Sequence, residues 1–323
     1  MKTYLSKLLV FIALVLGINI ILSQIFITSV MAKSEIYRRD KFFNEHPDPV
    51  NILVMGNSRS RSAIDPQILE HSFNWSTPRE NIIQTYYKLK YALEKHPRAA
   101  EIELVVLPLD ISSFFNMLNH HDFSPLFYWR KYIDFAEFGA WEGESLKYRF
   151  NATRAWLFPT FGNGRYILDY FNWVFIRKGQ TLTRPDGHTP HPERLTDLEN
   201  RDVKVKDLIQ TYFRTPDIYS PENVYWLEKC LQICAENNRE VILFKAPLAA
   251  EYTDELNSYI PIDSTYSQIL ESLASYDNFL VFDGAEELQS TDLFYNFGHL
   301  NAQGATIFSG MLNDFVKQNH LLD

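Results

Sequence analysis

The residues best suited to nucleophilic chemistry follow an apolar run near the start of the chain. Residues 51–55 (NILVM) have the length and composition of a buried strand, and Gly56-Asn57-Ser58 comes directly after them. The glycine permits a tight backbone turn. A serine hydroxyl is a weak nucleophile until a base removes its proton. Ser58 is therefore a candidate nucleophile that needs a histidine from another part of the chain.

A polar loop near the C-terminus can supply that base. His299 stands in the sequence Gly-His-Leu-Asn, directly before a helical pattern at 301–319 that Asn301 can cap. A histidine that is buried only for packing would more often lie inside an apolar run. We predict that Ser58 and His299 act together, and that free backbone amides after the first strand stabilise a developing oxyanion.

The pattern of predicted elements brings strand ends together at one edge of a sheet. Helical patterns alternate with apolar runs at 51–56, 101–110, 239–248 and 278–284. This alternation predicts an α/β fold, a three-layer α/β/α sandwich with a parallel sheet. Ligands of such sheets bind beyond the carboxyl ends of the strands. Ser58 follows one such end, and Asp110, Lys245 and Asp283 lie at others.

An uncharged segment near the N-terminus predicts a membrane anchor. Residues 8–31 carry no charged side chain and are long enough to cross a bilayer as a helix. The segment exceeds the usual 7–15 residues of a signal-peptide core. We therefore expect residues 1–32 to be a transmembrane anchor or uncleaved signal, although Val30-Met31-Ala32 loosely fits a cleavage site. Residues 33–50 are predicted to be a polar, extended linker to a domain at 51–323.

The alternation is interrupted between about 111 and 220. Aromatic residues make up 15% of the chain, and they are about twice as dense in the first half of this insert. Such a density predicts an inserted helical subdomain with its own core. Two alternatives are a wall that faces a ligand and a cap that faces a membrane.

Composition narrows the classes of function. A formal net charge of −9 argues against a general nucleic-acid binder, because that role needs a concentrated basic face. Cys230 and Cys234 are too few for a zinc cluster or a disulfide framework, and we expect them to be small core residues. The pairs His188/His191 and His120-His121 lack further ligands nearby. We expect no metal and no dissociable cofactor.

The two motifs together resemble a known superfamily. Gly56-Asn57-Ser58 after a first strand, with the His299 loop before the last helix, is similar to the SGNH (GDSL-like) hydrolases. More narrowly, the chain resembles the membrane-anchored SGNH-like proteins of bacterial cell-surface polysaccharide O-acylation, of the teichoic acid D-alanylation and alginate O-acetylation type. The likeness covers roughly residues 50–110 and 220–320. It implies a flavodoxin-like sheet, with Ser58 as nucleophile and His299 as base.

The chain departs from the superfamily at the third member of the triad. An aspartate usually stands three residues before the histidine, and Asn296 stands there instead. An amide can orient the imidazole but cannot stabilise its charged form. Three interpretations are open at this point. Asn296 orients His299, or Asp292 or Asp283 takes the place of the aspartate, or the domain has lost catalysis and retains binding.

The residues that would support an oxyanion also differ from the family pattern. Gly56 and Asn57 belong to the first block, and Asn74 stands where a second-block glycine loop would be. The third-block Gly-x-Asn turn is replaced by a segment that ends in Asp110, which is either a site residue or a helix cap.

Basic residues near the strand ends are candidates for substrate binding. They are Arg59, Arg61 and Lys245. Such side chains bind an acidic sugar or a phosphate. The alternative for the two arginines is surface pairing with Asp65 and Glu70.

The resemblance implies an acyl-ester hydrolase or O-acyltransferase that acts on extracytoplasmic polysaccharide. A membrane-bound O-acyltransferase would be the partner that supplies the acyl group. One alternative is a catalytically silent binding or scaffold protein of polysaccharide acylation or export. Another is a lipid-directed esterase, which the anchor and the aromatic insert suggest. We expect the domain outside the cytoplasm, although the basic residues after the span mildly favour the opposite orientation.

Overall fold

The structure, a computed structural model, describes most of the chain. The described residues are 2–114, 129, 131–133, 137, 150, 153–154, 158, 164–179, 182–197, 199, 201–212, 220–285 and 287–322. His120-His121 and most of the aromatic-rich insert lie outside them. The chain divides into two compact units, one made of Met1–Arg38 and Phe123–Thr181, the other of Arg39–Asp122 and Leu182–Asp323.

The larger unit is built on a five-stranded parallel sheet. Its strands are β1 (Ile52–Val54), β2 (Ser72–Asn74), β3 (Leu104–Pro108), β4 (Glu240–Phe244) and β5 (Phe279–Phe282). They lie in the order β2-β1-β3-β4-β5, which is the flavodoxin-like order. The central strands β1 and β3 are buried along their whole length, as expected for a sheet covered on both faces. The predicted α/β/α fold with a parallel sheet is confirmed.

Helices flank this sheet, and a short hairpin follows it. Among the described residues of both units, the helices in chain order are α1 (Lys2–Ile25), α2 (Glu35–Asn44), α3 (Ser58–Ala63), α4 (Ile82–Glu94), α5 (Gly164–Phe171), α6 (Arg201–Tyr212), α7 (Pro221–Glu236), α8 (Ala250–Asn257), α9 (Ile262–Ser272) and α10 (Ala302–Gln318). In the larger unit α4 packs against α7, and α3 packs against α10. Strands β6 (Phe294–Asn296) and β7 (His299–Leu300) pair antiparallel. This hairpin leads directly into α10.

The segment after Ser58 differs from the sequence-based prediction. The sequence predicts a helix within 62–73 that begins at Asp65-Pro66, but the structure has α3 before that point and the edge strand β2 at its end. Asn57 caps α3, because its side chain accepts a hydrogen bond from the Arg59 amide. Asp65 makes one turn only, in which its carboxylate accepts from the Gln67 amide. The Asp65 side chain therefore caps a single turn and not the helix predicted from the sequence.

Helix α2 lies within the stretch predicted to be an extended linker. Its later residues fold against the larger unit, where Phe43 is fully buried. The Phe43 ring lies 4.5 Å from that of Trp75 and 5.0 Å from that of Phe73. The Trp75 indole N–H donates to the buried carboxylate of Asp40 at 2.8 Å. These contacts attach α2 to the end of β2.

The smaller unit contains the long N-terminal helix. Helix α1 continues through a π-helical turn and a 3₁₀ turn, so that Tyr4–Lys33 is long and apolar enough to cross a membrane. Near the end of this stretch, Phe26 and Met31 form a buried cluster with Tyr166 of α5. The membrane helix expected from the sequence is therefore present as a helix, and its orientation stays a prediction.

Candidate active site

The turn between β1 and α3 presents Ser58 at the first helical position. Gly56 has φ +116°, which is a conformation that L side chains rarely adopt. A Cβ added to Gly56 would lie 2.5 Å from Pro108 Cγ, at the end of β3. Only glycine therefore lets the chain leave β1 beside its neighbouring strand. Asn57 then caps the helix, and Ser58 lies at its N-terminus.

The β6–β7 hairpin brings His299 to Ser58. The His299 Nε2 atom lies 2.7 Å from Ser58 Oγ, although the two residues are 241 positions apart. On the other side of the ring, His299 Nδ1 lies 2.8 Å from Asn296 Oδ1. Serine, histidine and asparagine thus form a continuous hydrogen-bonded chain.

The Gly298 amide determines the tautomer of His299. This N–H donates to the same Asn296 Oδ1 atom at 3.1 Å. The asparagine must therefore point its oxygen, and not its amide nitrogen, toward His299. Because an oxygen accepts, His299 Nδ1 carries the ring proton. Nε2 is left with a lone pair that can accept the Ser58 hydroxyl proton.

The surroundings of His299 keep its imidazole neutral. Its pKa is lowered to about 3, first by burial and then by the positive charges of Arg59 and Arg61. His191 lowers it further, and Asp110 opposes these effects. A triad aspartate would act in the opposite direction, because a neighbouring negative charge favours imidazolium. The asparagine therefore leaves a neutral imidazole whose Nε2 atom stays unprotonated over a wide range of pH.

Asp110 forms a cluster with Arg59 and Asn57 beside the serine. Asn57 Nδ2 donates to Asp110 Oδ2 at 2.8 Å. Arg59 forms an ion pair with Asp110, and its Nη1 atom also donates to Ser112 Oγ at 3.2 Å. Burial alone would lower the pKa of Arg59, but Asp110, together with smaller contributions from Tyr252 and Tyr266, raises it. Asp110 thus fixes a permanent positive charge next to Ser58.

The other edge of the Arg59 guanidinium faces the histidine hairpin. A Cβ added to Gly298 would lie 3.3 Å from both Arg59 Nε and Arg59 Nη2. The absence of a side chain at Gly298 therefore makes room for the guanidinium. The arginine side chain is 12% exposed, so part of it reaches the surface of the site.

Asn74 does not have the role expected from the sequence. Its side chain is fully buried, and Nδ2 donates to the carbonyls of Ser60 and Ile64 at 2.9 and 2.8 Å. Both amide hydrogens are used, so none is left for an oxyanion. One of these carbonyls lies within α3 and the other belongs to Ile64, the residue that follows it. Asn74 therefore holds the segment that carries Ser58.

The remaining predicted residues occupy three different places. The Arg61 carbonyl accepts hydrogen bonds from the segment at 188–189, while its charge acts on His299. Lys245 forms an ion pair with Asp283 across neighbouring strand ends and lies 4.9 Å from the ring centre of Tyr266. The Asp292 carbonyl accepts from the Asn301 side chain. Neither Asp283 nor Asp292 takes the place that Asn296 has beside His299.

A loop at 182–197 contributes residues that the sequence did not assign to this site. His191 stacks on Tyr295 with ring centres 3.8 Å apart, and Tyr295 lies 5.4 Å from His299. The His191 carbonyl accepts from the Ala302 amide. The loop is attached to the edge of the sheet at Gly187, where a Cβ would lie 1.8 Å from the Asn74 carbonyl oxygen. The only feature of the sequence that could have indicated this contribution is the Pro/Gly/His composition of the loop.

Among the described residues, no group of three metal-binding side chains could hold an ion. His188, a candidate ligand in the sequence, instead places Nδ1 3.1 Å from the Arg61 carbonyl oxygen. Its Nε2 atom lies 3.8 Å from Asp65. The histidine loop is therefore part of the packing around α3.

Comparisons with known proteins give little support for a family. No protein-family model matches the chain, and no curated protein matches it. A solved structure described as a platelet activating factor from Streptococcus pneumonia is similar, with a TM-score of 0.43 and 13% identity. The match covers 92% of this chain and 98% of that one. A TM-score this low does not establish a common fold or a common activity.

Proposed function

We propose that this protein is a membrane-anchored serine esterase or O-acyltransferase that acts on extracytoplasmic polysaccharide through Ser58 and His299. The observation that carries the proposal is the 2.7 Å contact between Ser58 Oγ and the unprotonated Nε2 of His299. The resemblance of both motifs to SGNH-like proteins supports the choice of acyl chemistry.

The reaction would proceed through an acyl-serine. Ser58 Oγ attacks the carbonyl carbon of an ester while His299 Nε2 takes the hydroxyl proton. The tetrahedral intermediate then expels the alcohol, which receives that proton from His299. In the second half, water or an acceptor hydroxyl attacks the acyl-serine and loses its proton to His299. The bond between the acyl carbon and Ser58 Oγ then breaks, and His299 returns the proton to Ser58. Hydrolysis and transfer differ only in this second nucleophile.

The charges around Ser58 suit an oxyanion. The first amides of a helix lack intrahelical partners, and the Asn57 side chain takes the one at Arg59. The Ser58 amide is then the natural donor to the developing negative charge. Arg59, held by Asp110, would add a positive charge to the site. The same charge favours substrates that carry a carboxylate or phosphate.

The substrate and partner remain inferences from the resemblance and the anchor. An apolar helix of this length would hold the domain close to a membrane surface. An acylated surface glycan is the acceptor or ester that fits such a location. A membrane-bound O-acyltransferase would deliver the acyl group to Ser58.

A catalytically silent glycan-binding protein is the second candidate. It is favoured by Asn74, whose amide hydrogens are fully used, and by the partner of His299 Nδ1, which is the amide of Asn296 and not a carboxylate. Such a protein would retain the hydrogen-bonded chain of Ser58, His299 and Asn296 without turning over an ester. The two functions differ in whether Ser58 becomes acylated.

The test uses the full-length protein in detergent micelles. Release of p-nitrophenol from p-nitrophenyl acetate and of acetate from an acetylated oligosaccharide would be measured, and acyl-Ser58 would be sought by mass spectrometry. We expect Ser58→Ala to abolish both turnover and the adduct. Ser264→Ala is the matched control, because Ser264 is an exposed serine at the start of α9. Absence of turnover and adduct in folded wild-type protein would favour the silent binder.

A further inference from the structure

The smaller unit has a strip of large apolar side chains that no described part of the chain covers. Leu168 and Phe175 are 66% and 69% exposed, and Ile176 is 73% exposed. Ile167 and Phe171 are also exposed, and the rings of Phe171 and Phe175 stack at 5.7 Å. These residues belong to α5 and to the π-helical segment Asn172–Ile176 that continues it.

The strip occupies one side of the helix. At about 100° per residue, positions 167, 168, 171 and 175 fall on one face. Asp169 and Asn172 are exposed on another face. Tyr166 lies on a third, where it is buried. The helix thus has one face for packing, one for water, and one apolar face in need of cover.

The packing face joins this helix to the apolar N-terminal helix. Tyr166 contacts the cluster of Phe26 and Met31, near the C-terminal end of Tyr4–Lys33. Along its length that helix exposes its own leucines and isoleucines. The two apolar surfaces therefore belong to one packed unit, and α5 begins where the long helix would leave a bilayer.

The side chains around the join are typical of a membrane–water interface. Lys33 and Arg38 lie over the Trp173 ring at 5.8 and 5.3 Å from its centre. Trp, Tyr and basic residues are enriched at the level of lipid headgroups. Arg177 and Lys178 are exposed after the strip. The helical segment ends at Ile176. Gly179 follows with φ +80°, and its amide donates to the Trp173 carbonyl.

We infer that Gly164–Ile176 lies in the surface of the same membrane that Tyr4–Lys33 spans, with Leu168, Phe171 and Phe175 among the acyl chains. Such helices bury an apolar face at the boundary between headgroups and acyl chains. A lipid surface fits better than a protein partner, because the strip is continuous with a helix that itself requires lipid. The inference rests on the proposed membrane anchor and is independent of the Ser58 chemistry.

The test measures which medium each face contacts. Full-length variants Leu168→Cys, Phe175→Cys and Asp169→Cys would carry a nitroxide in vesicles of equal parts phosphatidylcholine and phosphatidylglycerol. Power saturation would compare accessibility to lipid-soluble oxygen and to a water-soluble nickel chelate. Background labelling should be small, because Cys230 and Cys234 are fully buried and burial raises the pKa of both thiols. Leu14→Cys reports separately on the spanning helix.

We expect the ratio of oxygen to nickel accessibility to be several-fold higher at 168 and 175 than at 169. Equal, high nickel accessibility at all three positions would overturn the inference, because the strip would then face water. Low accessibility to both reagents at 168 and 175 would also overturn it, since protein would then cover the strip. With either of these two outcomes, a lipid-exposed label at Leu14 would still support the membrane anchor. A label at Leu14 in water would refute both the anchor and the interfacial helix.

Discussion

Burial keeps His299 neutral, and three neighbouring residues add to this effect. Asn296 gives the ring an acceptor without a negative charge, and the Gly298 amide keeps that acceptor in place. Arg59 adds a positive charge that opposes protonation. A base with so low a pKa is available at acidic pH, but it gains little driving force when it takes a proton. Compared with an aspartate at this position, Asn296 therefore makes His299 a weaker base that stays available at lower pH.

A carboxylate at position 296 should make His299 a stronger base that becomes protonated at acidic pH. We expect Asn296→Asp to raise the pKa of His299 well above its present value of about 3, because a carboxylate stabilises imidazolium. The wild-type rate of p-nitrophenyl acetate hydrolysis should stay level between pH 5 and 8. The variant should be faster at pH 8, by on the order of tenfold or more, and should lose rate as pH falls toward 5.

Asn319→Asp is the control for this experiment. It makes the same change of charge at an exposed residue after α10. Superimposable pH profiles of wild type and Asn296→Asp would show that Asn296 does not control the protonation of His299. Selective labelling of histidine and NMR titration of the ring would give the same comparison without relying on turnover.

For individual residues, the sequence could predict which ones lie together at the candidate site, but it could not predict the role of each. Ser58 and His299 follow strand ends or precede a capped helix, and parallel topology brings such positions together. Asn74 follows the same logic, yet its amide hydrogens are taken by the carbonyls of Ser60 and Ile64. Competition among buried acceptors depends on the folded backbone. The sequence pattern does not contain that information.

At the scale of elements, the strand-turn-helix unit at 52–63 depends on one glycine. Alanine at Gly56 would need a strained backbone and a Cβ within 2.7 Å of two Pro108 ring atoms and of Ser60 Oγ. We expect Gly56→Ala to lower the free energy of unfolding by about 2–4 kcal/mol. Ser58 should also move away from His299, so esterase activity should fall with stability. Urea unfolding followed by tryptophan fluorescence measures the change.

Gly310→Ala is the matched control for this substitution. No atom lies within 4 Å of a Cβ at that position in α10, and alanine should stabilise a helix interior by about 0.5–1 kcal/mol. Equal unfolding free energies for Gly56→Ala and wild type would show that the β1–α3 turn tolerates a side chain. The comparison separates a local steric effect from the general effect of losing a glycine.

The sequence predicted four of the five strands of the parallel sheet and missed β2. Its three residues, Ser72-Phe73-Asn74, are too few and too polar for an apolar run to reveal. The strand exists because it pairs with β1 and because the loop at 182–197 covers its outer side through the Asn74 amide and the Asp186 carbonyl. Both contacts come from residues distant in sequence. Long apolar strands were therefore predictable, whereas a short edge strand was not.

At the scale of the whole molecule, several histidines of the larger unit are held neutral. Burial lowers the pKa of His96 to about 4, and it lowers the pKa of His188 as well. The Arg98 amide donates to His96 Nδ1, so the Nε2 proton is the one donated to Asn44. With His299, three imidazoles are built into the fold in their uncharged form.

These histidines should make the larger unit sensitive to acid. Below pH 6.5 the unfolded chain takes up protons on all three, while the native state stays unprotonated at His96 and His299 until about pH 4 and 3. Stability should therefore rise with pH across this window and fall as pH drops from 6.5 toward 4. Each histidine contributes up to about 1.4 kcal/mol per pH unit to that slope. Urea unfolding of the full-length protein in detergent at pH 7, 6 and 5 would measure it.

The contribution of one histidine can be isolated by substitution. His96→Gln removes one titrating imidazole, and glutamine can still donate to Asn44, so the dependence of stability on pH should become shallower by about one proton's share. Asn319→Gln, at an exposed position after α10, changes no titrating group and should leave the slope as it is in wild type. A change in overall stability would shift each curve vertically without altering its slope. An unchanged slope in His96→Gln would mean that this imidazole is protonated in the native state at the same pH as in the unfolded chain.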